Sequence, residues 1–159
     1  MTTRAIITLL ATIIAAAPAQ ADPCAVPQGG PRLAPTLEGP IAAIVDGDTI
    51  DIRAGGKVHR VRLYGIDAPE HQNTAGLLAR AALERLAEGK RAACAILTED
   101  RYKRSVAVCR LVDGPDLSLA QLATGNAATY RRYLTDARLR DPYIAAETKA
   151  RTAHCGIWK

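Results

Sequence analysis

Two aspartates flank a glycine in Val45-Asp46-Gly47-Asp48-Thr49, and further along the chain Arg62, Asp67 and Glu70 crowd the segment Val61-Arg62-Leu63-Tyr64-Gly65-Ile66-Asp67-Ala68-Pro69-Glu70. In an extended chain the side chains of Asp46 and Asp48 point the same way, and two hard oxygen donors near one point suit Ca²⁺ or Mg²⁺. Asp-Gly is also a good turn between strands, and taken alone that is the stronger reading. The second segment is harder to dismiss. It ends a strand that leads into Pro69, and a strand end is where a barrel presents side chains to a ligand. The plain alternative is a surface ion pair between Arg62 and a carboxylate, which would stabilise little. A third group, Arg101-Tyr102-Lys103-Arg104, adds cations and an aromatic ring.

These residues need elements to hold them. The runs Ile41 to Val45, Thr49 to Arg53 and Lys57 to Tyr64 carry β-branched residues, with Gly47 and Ala54-Gly55-Gly56 as turns between them. They read as a three-stranded meander, so the first two acidic clusters can face each other. A helix follows up to Gly89, with Leu78, Ala82 and Leu86 on one face. The apolar runs Ala92 to Leu97 and Val106 to Val112 flank Thr98-Glu99-Asp100-Arg101-Tyr102-Lys103-Arg104-Ser105 and read as a hairpin. A short helix runs from Leu117 to Thr124, with Asp116 to cap its start and Gly125 its end. The last helix is expected to begin at Asp141-Pro142, a cap followed by proline at the first helical position. Strands, helix, hairpin and helices in this order predict an α+β fold dominated by a five-stranded OB-type barrel with three helices.

The first residues place Arg4 before an uncharged run from Ala5 to Ala17 and end in Ala19-Gln20-Ala21, the layout of a secretory leader cleaved after Ala21. The run is too short for a membrane span. The expected organisation is a leader over residues 1–21, an irregular Pro- and Gly-rich arm over 22–40, and one domain over 41–159. That predicts a protein without membrane anchor after cleavage, periplasmic or secreted, and monomeric. With no Phe and one Trp, its core must be built from Leu, Ile, Val and Ala. The formal net charge of +5 suits an anionic partner such as nucleic acid, although many exported proteins are basic.

The segments Asp46-Gly47-Asp48-Thr49, Arg62 to Glu70 and Asp100 to Arg104, in that order, together resemble the staphylococcal nuclease family. The closing stretch Ala146 to Trp158 also looks like that family's last helix and its Gly-x-Trp ending, so the resemblance covers nearly all of Pro40 to Trp158. It implies a metal-dependent endonuclease acting on DNA and RNA with little sequence preference and leaving 3′-phosphate ends. By the same resemblance the metal ligands are Asp48, Asp67 and the main chain of Ala68, and the ion is Ca²⁺ in preference to Mg²⁺. The general base falls on Glu70, and the catalytic arginines on Arg62 and Arg104. Arg101, Tyr102 and Tyr133 match positions that touch the nucleotide. Lys103 stands where the family usually carries glycine, so the shape of the turn presenting Arg104 is expected to differ. The competing functions are a non-catalytic nucleic-acid-binding OB-fold module, and an exported structural domain whose aspartates bind Ca²⁺ for stability alone.

Four cysteines in an exported chain read as two disulfides rather than a zinc site, because no two are close enough for a knuckle. If the hairpin folds symmetrically about Arg101-Tyr102, Cys94 lies opposite Cys109 on one face, at a separation a disulfide can span. Cys24 is then left with Cys155. Two free thiols at Cys94 and Cys109 are the alternative, should the register slip by a residue.

Overall fold

The structure, a computed structural model, describes residues 21–159. The leader expectation therefore lies, apart from Ala21, outside the described residues. Among these no helix is long and apolar enough to cross a membrane.

Strands β1 (Leu37–Asp46), β2 (Thr49–Ala54), β3 (Lys57–Leu63), β5 (Arg91–Glu99) and β6 (Ser105–Leu111) close a barrel in the order β1-β2-β3-β6-β5. Every neighbouring pair is antiparallel except β3 and β6, which run parallel. A small sheet pairs β4 (Ile66–Asp67) with β7 (Ala128–Thr129). Helices α1 (Thr74–Ala87), α2 (Leu117–Ala123) and α3 (Ala137–Thr152) complete the OB-type architecture that the sequence predicts. The barrel strands alternate, turning Ile41, Ile44, Ile50, Ile52, Val61 and Leu63 into an aliphatic core. Register shifts after Ile41 and Ile44 bend β1 so that one strand can pair with β2 along one part and β5 along another.

Two boundaries and one helical face differ from expectation. The arm ends at Thr36, because Leu37 to Pro40 pair with Arg91 to Cys94 and extend β1 toward the N-terminus. Proline is tolerated at Pro40 since only one side of that position is asked for a ladder bond. Helix α1 buries Gly76, Ala79, Leu83 and Ala87, while Leu78 is 60% exposed. The leucine spacing suggested a different face; the helix approaches the barrel too closely for leucine at its first turns, and small residues face inward instead. Helix α3 starts at Ala137, capped by the Asp136 side chain, which accepts from the Arg138 N–H at 2.9 Å. Pro142 therefore lies inside the helix, at the cost of one main-chain hydrogen bond. Burial of Leu139, Tyr143, Glu147 and Ala150 along one helical face outweighs that loss.

The cysteines pair as the hairpin register predicts. Cys94 lies opposite Cys109 and is bonded to it, and Cys24 is bonded to Cys155 across 131 residues. The second bond closes nearly the whole described chain and, by the chain-entropy model, contributes about 5 kcal/mol.

The Asp116 carboxylate caps α2 by accepting from the Leu119 N–H at 2.8 Å, and it also accepts from the Tyr143 hydroxyl. Burial pushes its carboxyl up from 3.8 to about 6, against the pull of these donors. The folded protein thus holds this proton more tightly than the unfolded chain. Its contribution to stability is complete below about pH 4 and is lost as pH rises through about 6. Asp116→Asn removes the titration but keeps an acceptor for the helix. The melting temperature of the variant relative to wild type should therefore climb between pH 4 and pH 7, and a constant offset would show that the carboxyl titrates normally.

Lys103, in the turn between β5 and β6, has φ of +66°. Lysine thus adopts the left-handed conformation that glycine supplies freely. That conformation costs a residue with a Cβ roughly 1–2 kcal/mol. Lys103→Gly should raise the unfolding free energy in urea by about 1 kcal/mol, after the chain entropy of glycine is subtracted. A fall would mean that the exposed Lys103–Glu99 ion pair, 3.2 Å long, matters more than the strain.

Candidate active site

The β1–β2 turn, the outer end of β3 and the β4 segment converge through one side chain. Asp48 leaves the turn and is 2% exposed. Its Oδ1 meets Arg62 Nη1 at 2.5 Å, and its Oδ2 accepts from the Ala68 N–H at 2.8 Å. Arg62, from β3, reaches in the other direction with Nη2, donating to Asp67 Oδ1 at 2.8 Å and to the Ile66 carbonyl at 3.2 Å. One guanidinium is thus shared by a buried and an exposed carboxylate. The fork geometry of arginine makes this possible, since its donors diverge in one plane.

Asp46 does not join Asp48 as a second ligand of the kind an extended chain would give. Its Oδ1 accepts from the Asp48 N–H at 3.0 Å and closes the turn locally. Gly47, between them, has no room for a side chain: a Cβ there would come within 2.7 Å of the Cβ atoms of both Ala68 and Ala79. Gly76 is likewise pressed against the Glu70 carbonyl. These two glycines let the turn, the Ala68–Asn73 loop and α1 pack into contact.

Glu70 lies on that loop, exposed, with its carbonyl accepting from the Asn73 N–H at 3.2 Å. Among the described residues no side chain pairs with its carboxylate. Arg104 precedes β6. Because Val106 pairs with Arg62 in the parallel ladder, Arg104, two residues earlier, lies on the same side of the sheet as Arg62. Arg104 Nε donates to Asp100 Oδ2 at 2.7 Å, and its main-chain N–H to Asp100 Oδ1 at 3.0 Å. Tyr102 is 63% exposed, with the Arg101 and Arg104 guanidinium carbons 4.7 Å and 5.4 Å from its ring centre. Tyr133 is also exposed and meets Tyr130 edge to face, their ring centres 4.8 Å apart. The turn carrying both tyrosines is tied to the β3–β4 link, since the Tyr130 N–H donates to the Gly65 carbonyl and the Tyr64 hydroxyl to the Tyr133 carbonyl. Asp48, Arg62, Asp67 and Ala68 are therefore in direct contact, whereas Glu70, Arg101, Tyr102, Arg104 and Tyr133 are linked to them through the backbone and share no ion pair with them.

Burial pushes the Asp48 carboxyl up to about 7, opposed by the charge of Arg62 and the N–H of Ala68. Asp100 ends below the usual range: burial would raise it, but the N–H groups of Arg104 and Tyr102 and the Arg104 guanidinium outweigh that. The donor set fits a hard divalent cation. Asp48 and Asp67, each joined to Arg62, are hard oxygen donors, and a cation bound to them would favour the ionised form of Asp48.

Two residues escaped the sequence reading. Asp100 holds Arg104, and the carboxylate four positions before an arginine was its signal. Gln121 is 1% exposed on α2 and donates to the Gly47 carbonyl at 2.7 Å and the Ala79 carbonyl at 3.0 Å. Its signal was a long polar side chain in a helix that is apolar apart from it and Ser118.

Residues 60–159 match the model of the family described as staphylococcal nuclease homologue. The chain is 30% identical to an uncharacterized endonuclease of Escherichia coli O157:H7 over 128 residues, covering 80% of this chain and 81% of the relative. It is 31% identical to a micrococcal nuclease of Shigella flexneri over 135 residues, covering 77% of this chain and 74% of the relative. A probable staphylococcal-like nuclease of Oryza sativa subsp. japonica is 36% identical over 103 residues, covering 64% of this chain and 29% of the relative. On the closed barrel, the carboxylate pair around Arg62 and these matches, the chain belongs to the staphylococcal nuclease homologue family.

Proposed function

We propose that this chain is an exported, metal-dependent endonuclease that hydrolyses phosphodiester bonds of DNA and RNA with little sequence preference. The observation that carries the reading is the sharing of Arg62 between Asp48 and Asp67, which gathers cation ligands and a phosphate-binding group at one place. Two disulfides suit a protein that works outside the reducing cytosol.

A phosphodiester repels nucleophiles, and its five-coordinate transition state carries additional negative charge. Asp48, Asp67 and the Ala68 carbonyl would hold Ca²⁺, which would supply charge neutralisation there. Arg104 grips phosphate oxygens through a planar fork that never loses its proton, and Arg62 adds its fixed positive charge at the same place. Arg104 is held to Asp100 through Nε and the main chain, so its terminal nitrogens remain available to substrate. The exposed Glu70 carboxylate accepts the proton of the attacking water, directly or through one bridging water. Tyr102 and Tyr133 offer faces on which any base can stack, and Arg101 adds a phosphate contact, which together favour binding without sequence readout.

The first test is incubation of the chain lacking residues 1–21 with plasmid and single-stranded RNA, with Ca²⁺ and then with chelator. Both substrates should be cut only with the ion. Glu70→Gln, Arg62→Lys and Arg104→Lys should each lower turnover by at least ~10², the usual effect of losing a general base or an electrostatic donor. Near wild-type rates in folded variants would overturn the assigned roles. With so few side-chain ligands, Ca²⁺ should bind weakly alone and more tightly once nucleotide is added. Calorimetry showing tight binding without nucleotide, unaffected by Asp48→Ala, would remove Asp48 from the ligand set.

A further inference from the structure

Helix α2 is buried along its whole length, and each of its polar side chains has a partner. Gln121 is the one that reaches the candidate site. Its Nε2 donates to two main-chain carbonyls from different elements, Gly47 in the β1–β2 turn at 2.7 Å and Ala79 in α1 at 3.0 Å. Carbonyls only accept, so the amide orientation is fixed by chemistry: the two protons of one NH₂ group serve two oxygens. Leucine here would fill similar space and leave both oxygens buried without that donor.

The Gly47 carbonyl belongs to the turn that ends in Asp48. That turn is held locally by the Asp46 side chain, and laterally by the close approach of Ala68 and Ala79 to Gly47. Packing against two methyl groups resists inward movement but not a rotation or a withdrawal of the turn. The Gln121 amide resists both, because it pulls the turn onto α1 and α2. A shift of the turn would move the Asp48 oxygens relative to Arg62 Nη1 and the Ala68 N–H, contacts of 2.5 Å and 2.8 Å.

We propose that Gln121 is a positioning residue for the catalytic centre, fixing the Asp46–Thr49 turn and through it the direction of the Asp48 carboxylate. The inference rests on the reading of Asp48 as a cation ligand. It acts through a ligand, not on substrate, so its loss raises the requirement for cation and leaves turnover at saturating cation nearly intact.

The test compares Gln121→Leu with Leu122→Ala, a cavity-forming change at a fully buried neighbour on the same helix that makes no contact with the turn through hydrogen bonds. Hydrogen exchange at the Ala68 amide is measured in metal-free protein, alongside the melting temperature. The Ca²⁺ concentration for half-maximal plasmid cleavage and the turnover at saturating Ca²⁺ are measured in parallel. Gln121→Leu should speed Ala68 exchange beyond the loss seen at the core amide of Ile52. It should also raise the half-saturating Ca²⁺ concentration about tenfold or more, the usual cost of losing a residue that orients a ligand. Leu122→Ala should lower the melting temperature and do neither. If Gln121→Leu does not fold, Gln121→Met, which keeps the unbranched chain, takes its place. Unchanged Ala68 exchange, or lost turnover at an unchanged Ca²⁺ requirement, overturns the proposal. Should the wild type fail to cut nucleic acid, the nuclease reading falls, and the Ala68 exchange comparison still decides whether Gln121 positions Asp48.

Discussion

A single guanidinium, that of Arg62, is the charge on which the centre of this molecule depends. Asp48 is almost wholly buried, and an ionised carboxylate in that position is costly unless a cation and a hydrogen-bond donor compensate for lost water. Arg62 and the Ala68 N–H are those compensations, one from the neighbouring strand and one from the loop beyond it. Because the same guanidinium also holds the exposed Asp67, the β3 end, the β4 segment and the β1–β2 turn form one electrostatic unit.

Everything around that unit serves to bring backbone close to backbone. Gly47 and Gly76 are needed for lack of space, and α1 presents Ala79 rather than leucine to the β1–β2 turn. The parallel pairing of β3 with β6 sets the two arginine-bearing strands side by side, and the Cys94–Cys109 bond braces the hairpin that ends in Arg104. Farther out, Glu147 of α3 binds Thr129 through its hydroxyl at 2.6 Å and also meets Arg151, so the last helix steadies β7 and with it the β4 strand that carries Asp67.

The barrel was legible in the sequence because β-branched runs separated by glycine turns impose period-two burial, and the hairpin register could be counted from Cys94 to Cys109. The α1 face was not, since Leu77 and Leu78 dominate the start of the helical pattern, while the residues pressed against the Glu70 loop and the Gly47 turn are Gly76 and Ala79, and only Leu83 and Ala87 farther along enter the core. The start of α3 was misplaced because Asp141-Pro142 looks like a helix beginning, and only the burial of Leu139 and Tyr143 shows why the helix already exists there. Sequence spacing cannot show that Asp48, Arg62 and Asp67 touch. The meander did allow the acidic segments to face each other and Arg62 to pair with a carboxylate, the metal and catalytic roles came only through family resemblance, and the Gln121 contacts to Gly47 and Ala79 were not available at all, because they depend on how three elements pack.

The bond between Cys24 and Cys155 joins points close to the two ends of the described chain, 131 residues apart. Covalently, the domain is therefore a ring with short tails. A protease that cuts the exposed Gly55-Gly56 tip opens the ring once and releases no fragment; both sides of the cut remain attached through sulfur. Two separate cuts, or one cut and a reductant, are needed before any piece can diffuse away. A nick that would split a linear chain into two molecules leaves this one a single molecule whose halves stay at high local concentration and can remain docked.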